Sequence, residues 1–150
     1  MPQTYHSLNC HVVFSTKHRQ SFITREIRPR LYLYIGGLIR DRACVPRAIG
    51  GVENHVHLLV SLTQLTVISD LMRDVKAISS GWVRQTFTGY KDFEWQPGYG
   101  VFAVSHSAVR KVRNYIEGQE EYHRVKSFKE EFVGLLDEHE IKYDRRYLWE

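Results

Sequence analysis

The chain has 150 residues, of which 43% are hydrophobic and 25% are charged, and its formal net charge is +4. These values predict one folded domain and exclude a disordered chain. The small positive charge favours a polyanionic partner without identifying it. The start, MPQTYHSLN, lacks the features of a signal peptide, and no apolar run approaches the roughly 18 residues of a membrane span. We therefore expect a cytoplasmic protein with no membrane segment.

Short β-branched and aromatic runs alternate with segments whose apolar residues recur at helical spacing. The predicted elements are a strand at 8–15, a helix from Thr24 to about residue 42, strands at 44–52 and 55–62, a helix from Thr66 to about residue 87, a strand at 100–105, a helix from Ser107 to about residue 122, and a last helix after Ser127. Thr24, Ser107 and Ser127 are predicted N-caps, and Glu53-Asn54 is a predicted hairpin turn.

The order β-α-β-β-α-β is that of a ferredoxin-like α+β sandwich with an antiparallel sheet, here followed by additional C-terminal helices. We expect a single domain over residues 1–150, with its core at about 5–122 and a C-terminal helix and tail at 123–150. Cys10 and Cys44 are isolated in apolar surroundings, which predicts buried thiols in a reducing compartment. This fold alone does not fix a function.

The third strand opens with His55-Val56-His57. Residues i and i+2 of a strand point to the same face, about 7 Å apart, so the two imidazoles could share one divalent ion. The alternative is two histidines on the solvated face of an ordinary strand. The spacing alone does not exclude that alternative.

A helix further along the chain carries Tyr115 and Gln119, four residues apart and therefore on one helical face. Gln119 could add a third metal ligand and Tyr115 a nucleophile above the metal. The alternative makes Tyr115 a half-buried aromatic residue and Gln119 a solvated one. Periodicity does not choose between these readings.

Three motifs in this order resemble the single-tyrosine HUH transposases, in which HUH stands for His-hydrophobic-His. They are HVVFSTKHRQ near the start, NHVHLLVSL at the hairpin and YIEGQ on the late helix. These are insertion-sequence enzymes related to the REP-associated tyrosine transposases of bacterial chromosomes. The resemblance covers most of the chain.

The resemblance implies that Tyr115 is the nucleophile and that His55, His57 and Gln119 bind the metal, Mg²⁺ or Mn²⁺. It implies metal-dependent cleavage and transfer of single-stranded DNA at hairpin-marked ends, through a 5′-phosphotyrosine. It also implies a homodimer and a bacterial enzyme that is associated with the nucleoid while acting. No nucleotide cofactor is expected, because the phosphotyrosine retains the energy of the broken bond and no GxxxxGK[ST] loop is present.

Basic residues offer a path for DNA through salt-dependent contacts with phosphates. They are Lys17, His18 and Arg19 after the first strand, Arg28, Arg30, Arg73, Lys76 and Arg84 on the first two helices, and Arg110, Lys111 and Arg113 ahead of the tyrosine. Phe93, Trp95 and Tyr99 could stack on bases. The alternatives are a solvated basic face and a small aromatic core beneath the loop at 90–98.

Two other interpretations remain open. One is a non-catalytic, ferredoxin-like module that binds nucleic acid, with the histidines as bystanders. The other is a metal hydrolase that uses His55, His57 and a third ligand on an unrelated phosphoester. Tyr122 is interpreted as structural, and the acidic segment 120–132 as solvated helix surface.

Overall fold

The protein was analysed as a computed structural model, which describes residues 2–150. These residues form four strands and five α-helices. The strands are β1 (Asn9–Ser15), β2 (Val45–Val52), β3 (His55–Ser61) and β4 (Gly100–Val104), and the helices are α1 (Arg28–Asp41), α2 (Ile68–Thr86), α3 (Val109–Glu117), α4 (Gln119–Tyr122) and α5 (Phe128–Glu138). Short 3-10 turns at Lys17–Arg19 and His106–Ala108 follow β1 and precede α3. The predicted order of elements is confirmed.

The strands form one antiparallel sheet in the order β2-β3-β1-β4, which is the ferredoxin-like arrangement. The two central strands, β1 and β3, pair so that Val13 lies opposite His57 and Ser15 lies opposite His55. β1 and β3 each pair with another strand on both sides, which fixes their register. The histidine pair therefore lies on a central strand of the sheet rather than on an edge strand.

Strand alternation divides the core between two faces of the sheet. Val12 and Phe14 of β1, with Val56 and Leu58 of β3, pack with α1 and α2. The intervening residues face the other way, where α3 and α5 cover Val13 and Leu59. Helices thus cover both faces, so the second face is not left open to solvent.

Of the three predicted N-caps, Ser127 is confirmed and Ser107 and Thr24 are wrong. Ser127 does cap α5, since its hydroxyl accepts from Glu130 N and the Glu130 carboxylate accepts in return from Ser127 N. Ser107 does not cap a helix, because it lies inside a 3-10 turn and α3 begins after Ala108. Thr24 begins a turn rather than the helix, and α1 starts only at Arg28.

The helix predicted from Ser107 to about residue 122 is divided at Gly118. Gly118 has φ −96° and ψ 22°, which lies outside helical values, so α3 ends at Glu117 and α4 begins at Gln119. Glycine is a weak helix former, which makes a break here inexpensive.

The aromatic loop between α2 and β4 closes the first core. Phe93 is fully buried, and Trp95 is 7% exposed with its indole N–H donating to Ser79 Oγ. Of the two interpretations of Phe93 and Trp95, the structure has the small aromatic core beneath the loop, and neither ring is exposed for stacking on bases. Cys10 and Cys44 are buried free thiols, as predicted. Within residues 2–150, none of the helices combines the length and the apolar character that a membrane crossing requires.

Candidate active site: a histidine–glutamate cluster beneath Tyr115

His55 and His57 lie side by side on the second face of the sheet, and both side chains are fully buried. Their burial excludes the alternative of two solvated histidines. His55 Nδ1 lies 2.8 Å from Asn54 Oδ1, and His57 Nδ1 lies 2.7 Å from His11 Nε2. These contacts occupy both Nδ1 atoms and direct both Nε2 atoms towards the C-terminal helices.

The Glu131 carboxylate of α5 lies where the two imidazoles converge. Its Oε1 is 3.1 Å from His55 Nε2, 3.0 Å from His57 Nε2 and 3.2 Å from His123 Nε2. Glu131 is only 2% exposed. The interpretation of segment 120–132 as solvated surface is therefore wrong at Glu131 and His123.

The sequence does contain a signal for the burial of Glu131. The capping box at Ser127 fixes where α5 begins, and Glu131 then shares a helical face with Phe128 and Leu135, three residues before it and four after it. A carboxylate on an apolar face is rarely buried unless it is paired. Its partners, however, lie on distant segments that the sequence pattern does not identify.

The charges of the cluster are strongly coupled. Burial by itself raises the pKa of Glu131, but the hydrogen bonds from His123, His55 and His57 hold that pKa well below its usual range. Burial lowers the pKa of His55 to about 4, against the opposing effect of Glu131. Burial also lowers the pKa of His123, but its hydrogen bond to Glu131 raises it overall. The three imidazoles thus offset the cost of burying the ionised Glu131 carboxylate.

Tyr115 reaches this cluster from α3. Its hydroxyl donates a short hydrogen bond to Glu131 Oε2, and its ring contacts that of His57 with centroids 5.5 Å apart. Burial, followed by the negative charge of Glu131, raises the pKa of Tyr115 well above its usual value. Tyr115 is therefore protonated at neutral pH in this arrangement, and its hydroxyl is held beside the histidines.

Gln119 lies within the same cluster and is 1% exposed. Its Oε1 is 3.1 Å from His55 Nε2 and 2.9 Å from His123 Nε2, while its Nε2 donates to Glu131 Oε2 at 3.0 Å. The fold thus brings Gln119 within coordinating reach of the histidine pair. Tyr115, Gln119 and the histidine pair thus lie within hydrogen-bonding distance of the same carboxylate, that of Glu131.

The predicted DNA-binding residues of α2 lie on the opposite side of the sheet from the cluster. Arg73 forms ion pairs with two neighbouring aspartates. Lys76 Nζ donates to two carbonyls of the aromatic loop, and burial lowers the pKa of Lys76 to about 8. Arg84 donates to the carbonyl of Phe93. In this structure Lys76 and Arg84 thus hold the loop, and the structure does not bring α2 to the tyrosine.

The other predicted DNA-binding residues lie at two places. Lys17 pairs with Glu94, and Arg19 lies over the ring of Trp149 in the C-terminal tail. His18, Arg110 and Lys111 are exposed. A cavity of about 580 Å³ between β4, α3 and α5 reaches Tyr115 and Glu131, and Lys111 lies at its wall. Of the predicted DNA-binding residues, Lys111 is thus the one that shares a cavity with Tyr115.

Comparison with known families identifies the class of protein. The family described as IS200-like transposase matches residues 4–119, which include the histidine pair, Tyr115 and Gln119. The chain belongs to the IS200-like transposase family. It is therefore a DNA transposase by family, and the predicted family resemblance is confirmed.

Individual relatives agree with this assignment. The transposase is 25% identical over 122 residues to the ISDra2 transposase TnpA of Deinococcus radiodurans, covering 76% of this chain and 85% of that protein. A crystal structure described as that of a transposase from Deinococcus radiodurans R1 matches with a TM-score of 0.64 at 23% identity, covering 79% of this chain and 95% of the other. The structure of a REP-associated tyrosine transposase bound to a REP hairpin matches with a TM-score of 0.57 at 20% identity, covering 77% and 68%. These two structures support the fold.

The donor atoms of the transposase suit a divalent metal ion. Ligand atoms of His55, His57, His123 and Glu131 all lie within 4.8 Å of one another. Imidazole and carboxylate donors together bind transition-metal ions well, whereas Mg²⁺ prefers oxygen ligands alone. Each imidazole also has its second nitrogen engaged, as metal-binding histidines usually do. The residues present therefore fit a metal centre.

Close contact between β2 and α3 positions the tyrosine of the transposase. A Cβ at Gly50 would lie 2.2 Å from the carbonyl oxygen of Ile116, the residue after Tyr115. We therefore expect Gly50→Ala to displace α3, slowing DNA cleavage about 10- to 100-fold because a small misplacement of a reacting group is costly. Single-turnover kinetics measures the cleavage rate, and thermal melting measures the effect of displacing α3 on stability. Gly37→Ala on α1, where a Cβ meets nothing within 4 Å, is the control; equal rates for both variants contradict the prediction.

Proposed function

We propose that this transposase cleaves single-stranded DNA at hairpin-marked ends and transfers the strand through a 5′-phosphotyrosine on Tyr115. One observation carries the proposal. The Tyr115 hydroxyl and the Nε2 atoms of His55 and His57 meet at a single carboxylate, that of Glu131. A nucleophile held against a set of metal ligands is the arrangement that phosphodiester transesterification needs.

In the proposed reaction, Tyr115 Oη attacks the scissile phosphorus and the bond from phosphorus to the 3′ oxygen breaks. The downstream strand stays on the tyrosine through its 5′-phosphate, and the upstream strand leaves with a 3′-OH. That hydroxyl or another can later attack the phosphotyrosine and restore Tyr115. The number of phosphodiester-type bonds is unchanged in each step, so no nucleotide is consumed.

The environment of Tyr115 opposes its deprotonation, because burial and the Glu131 carboxylate both raise its pKa. Added positive charge at the cluster is therefore required before the hydroxyl can react. A bound divalent ion, Mg²⁺ or Mn²⁺, would supply that charge and offset the charge that develops on the phosphate oxygens. His55, His57 and Gln119 would hold the ion, while Glu131 Oε2 keeps the Tyr115 hydroxyl oriented by its hydrogen bond.

DNA would approach through the cavity between β4, α3 and α5, where Lys111 and Tyr115 lie. The solved REP-associated transposase holds a REP hairpin, which supports a hairpin as the ligand here. Of the predicted DNA contacts, Lys111 has the most support, since it lines this cavity, and Arg110 is exposed beside it on α3. Lys17, His18, Arg19, Arg73, Lys76 and Arg84 remain proposals for the more distant parts of the DNA.

We also propose that two copies act together, because transposition involves two DNA ends and each chain offers one Tyr115. In such a pair, the two sheets could join edge to edge and each tyrosine helix could complete the metal site of the partner.

The decisive experiment uses single-stranded DNA from the flanks of the gene itself, incubated with the full chain and Mn²⁺. An oligonucleotide labelled at its 3′ end should yield a labelled protein band that is stable in SDS, whereas the same oligonucleotide labelled at its 5′ end should yield only a shorter free strand. EDTA should abolish both products. Binding without cleavage would indicate the non-catalytic module, and cleavage without a protein adduct would indicate a metal hydrolase that uses water.

A further inference from the structure

We propose that Glu131 and His123 are direct metal ligands beside His55 and His57, so that one transition-metal ion fastens the C-terminal segment to the sheet. This inference rests on the proposed function, whose metal centre it defines further. The residues matched by the transposase family end at 119. Both additional donors lie beyond that point, in the part of the chain that carries α5.

The first argument is the convergence of the donor atoms. Glu131 Oε1 lies 3.1, 3.0 and 3.2 Å from the Nε2 atoms of His55, His57 and His123. Ligands held about 2.1 Å from a metal ion lie roughly 3.0 Å apart at right angles and about 3.4 Å apart in a tetrahedron. The spacing of the carboxylate oxygen from all three imidazoles therefore matches that of ligands around one ion.

The second argument is the orientation of each imidazole. His123 Nδ1 lies 2.7 Å from the carbonyl of Lys126 and must donate to it, since a carbonyl only accepts. His55 Nδ1 faces Asn54 Oδ1 and His57 Nδ1 faces His11 Nε2. Because its Nδ1 donates to a carbonyl, the neutral form of His123 has the lone pair of Nε2 free for a metal. All three Nε2 atoms point to the same carboxylate oxygen.

The third argument is the burial of the carboxylate. Glu131 is 2% exposed, and an ionised carboxylate in such a place requires positive charge and hydrogen bonds nearby. The Nε2 atoms of the three imidazoles lie within 3.2 Å of Glu131 Oε1. A divalent cation held by these nitrogens and the carboxylate would supply the positive charge that the buried group requires. Three imidazoles and one carboxylate select Mn²⁺, Zn²⁺ or a similar ion over Mg²⁺.

The proposal is tested by calorimetric titration of the chelator-stripped full chain with Mn²⁺ and with Zn²⁺. We expect Glu131→Gln, which keeps the shape of the side chain but removes its charge, to weaken binding at least about tenfold. Glu138→Gln is the matched control, since Glu138 is exposed on the same helix, and it should bind as the wild type does. Equal or tighter binding by Glu131→Gln overturns the proposal. In that case the Glu131 carboxylate would lie where the ion binds and would compete with the ion instead of coordinating it.

Two measurements on the unaltered chain keep the proposal testable if Glu131→Gln does not fold. X-ray absorption of the Zn²⁺ form should count three imidazoles, and a count of two overturns the assignment of His123. Hydrogen exchange of residues 128–138 should slow when the ion binds, whereas slowing confined to β3 overturns the assignment of Glu131. Neither readout depends on DNA, so a missing DNA adduct would defeat the proposed function without affecting this result.

Discussion

Tyr115→Phe is expected to abolish the covalent protein–DNA adduct while leaving hairpin binding intact. The substitution removes one oxygen atom, the only nucleophile that α3 places against the cluster, and keeps the ring that packs beside His57. Loss of a nucleophile typically costs several orders of magnitude in rate, so we expect adduct formation to fall at least about 10³-fold. Gel electrophoresis in SDS measures the adduct, and a mobility shift of a labelled hairpin measures binding.

Tyr122 provides the control for this prediction. Its ring packs edge-on against that of Tyr115 at 5.2 Å between centroids, and we interpret it as structural. Tyr122→Phe should therefore retain the adduct. If the adduct persists in Tyr115→Phe and is lost in Tyr122→Phe, the nucleophile is Tyr122. If the adduct persists in both variants, neither tyrosine is the nucleophile.

His57→Ala should abolish metal-dependent cleavage and weaken Mn²⁺ binding about 100-fold, because the ion loses a buried imidazole ligand. The same change leaves the buried His11 without its hydrogen-bond partner and removes one of several partners of Glu131, which we expect to lower the free energy of unfolding by about 1–3 kcal/mol. Cleavage should therefore be measured below the melting temperature of the variant, with binding followed by calorimetry.

His6→Ala is the matched control, because His6 is an exposed histidine of the N-terminal segment. It should leave the melting temperature and metal binding unchanged. If His57→Ala is folded and still cleaves DNA in an EDTA-sensitive manner, the histidine pair is not the metal site.

Local patterns account for much of the predicted site. Alternation in His55-Val56-His57 placed both imidazoles on one face with Val56 in the core, and the structure has this arrangement. Helical spacing placed Tyr115 and Gln119 on one face, and both reach the same carboxylate despite the break at Gly118. The errors arose where a side chain was assigned to solvent or to DNA without knowledge of what covers it. Phe93 and Glu131 are both buried by distant segments.

The sequence by itself determined the order of the elements, the face of the sheet to which the strand side chains point, and the family. These features depend on strand and helix periodicity and on short motifs, which involve only a few neighbouring residues. Only the tertiary structure decided that α5 docks over the second face of the sheet and carries Glu131 to His57, 74 residues away. That docking depends on the packing of Phe128 and Leu136 against Val13 and Phe102. Such contacts are decided by the free energy of the whole core, which no local pattern encodes.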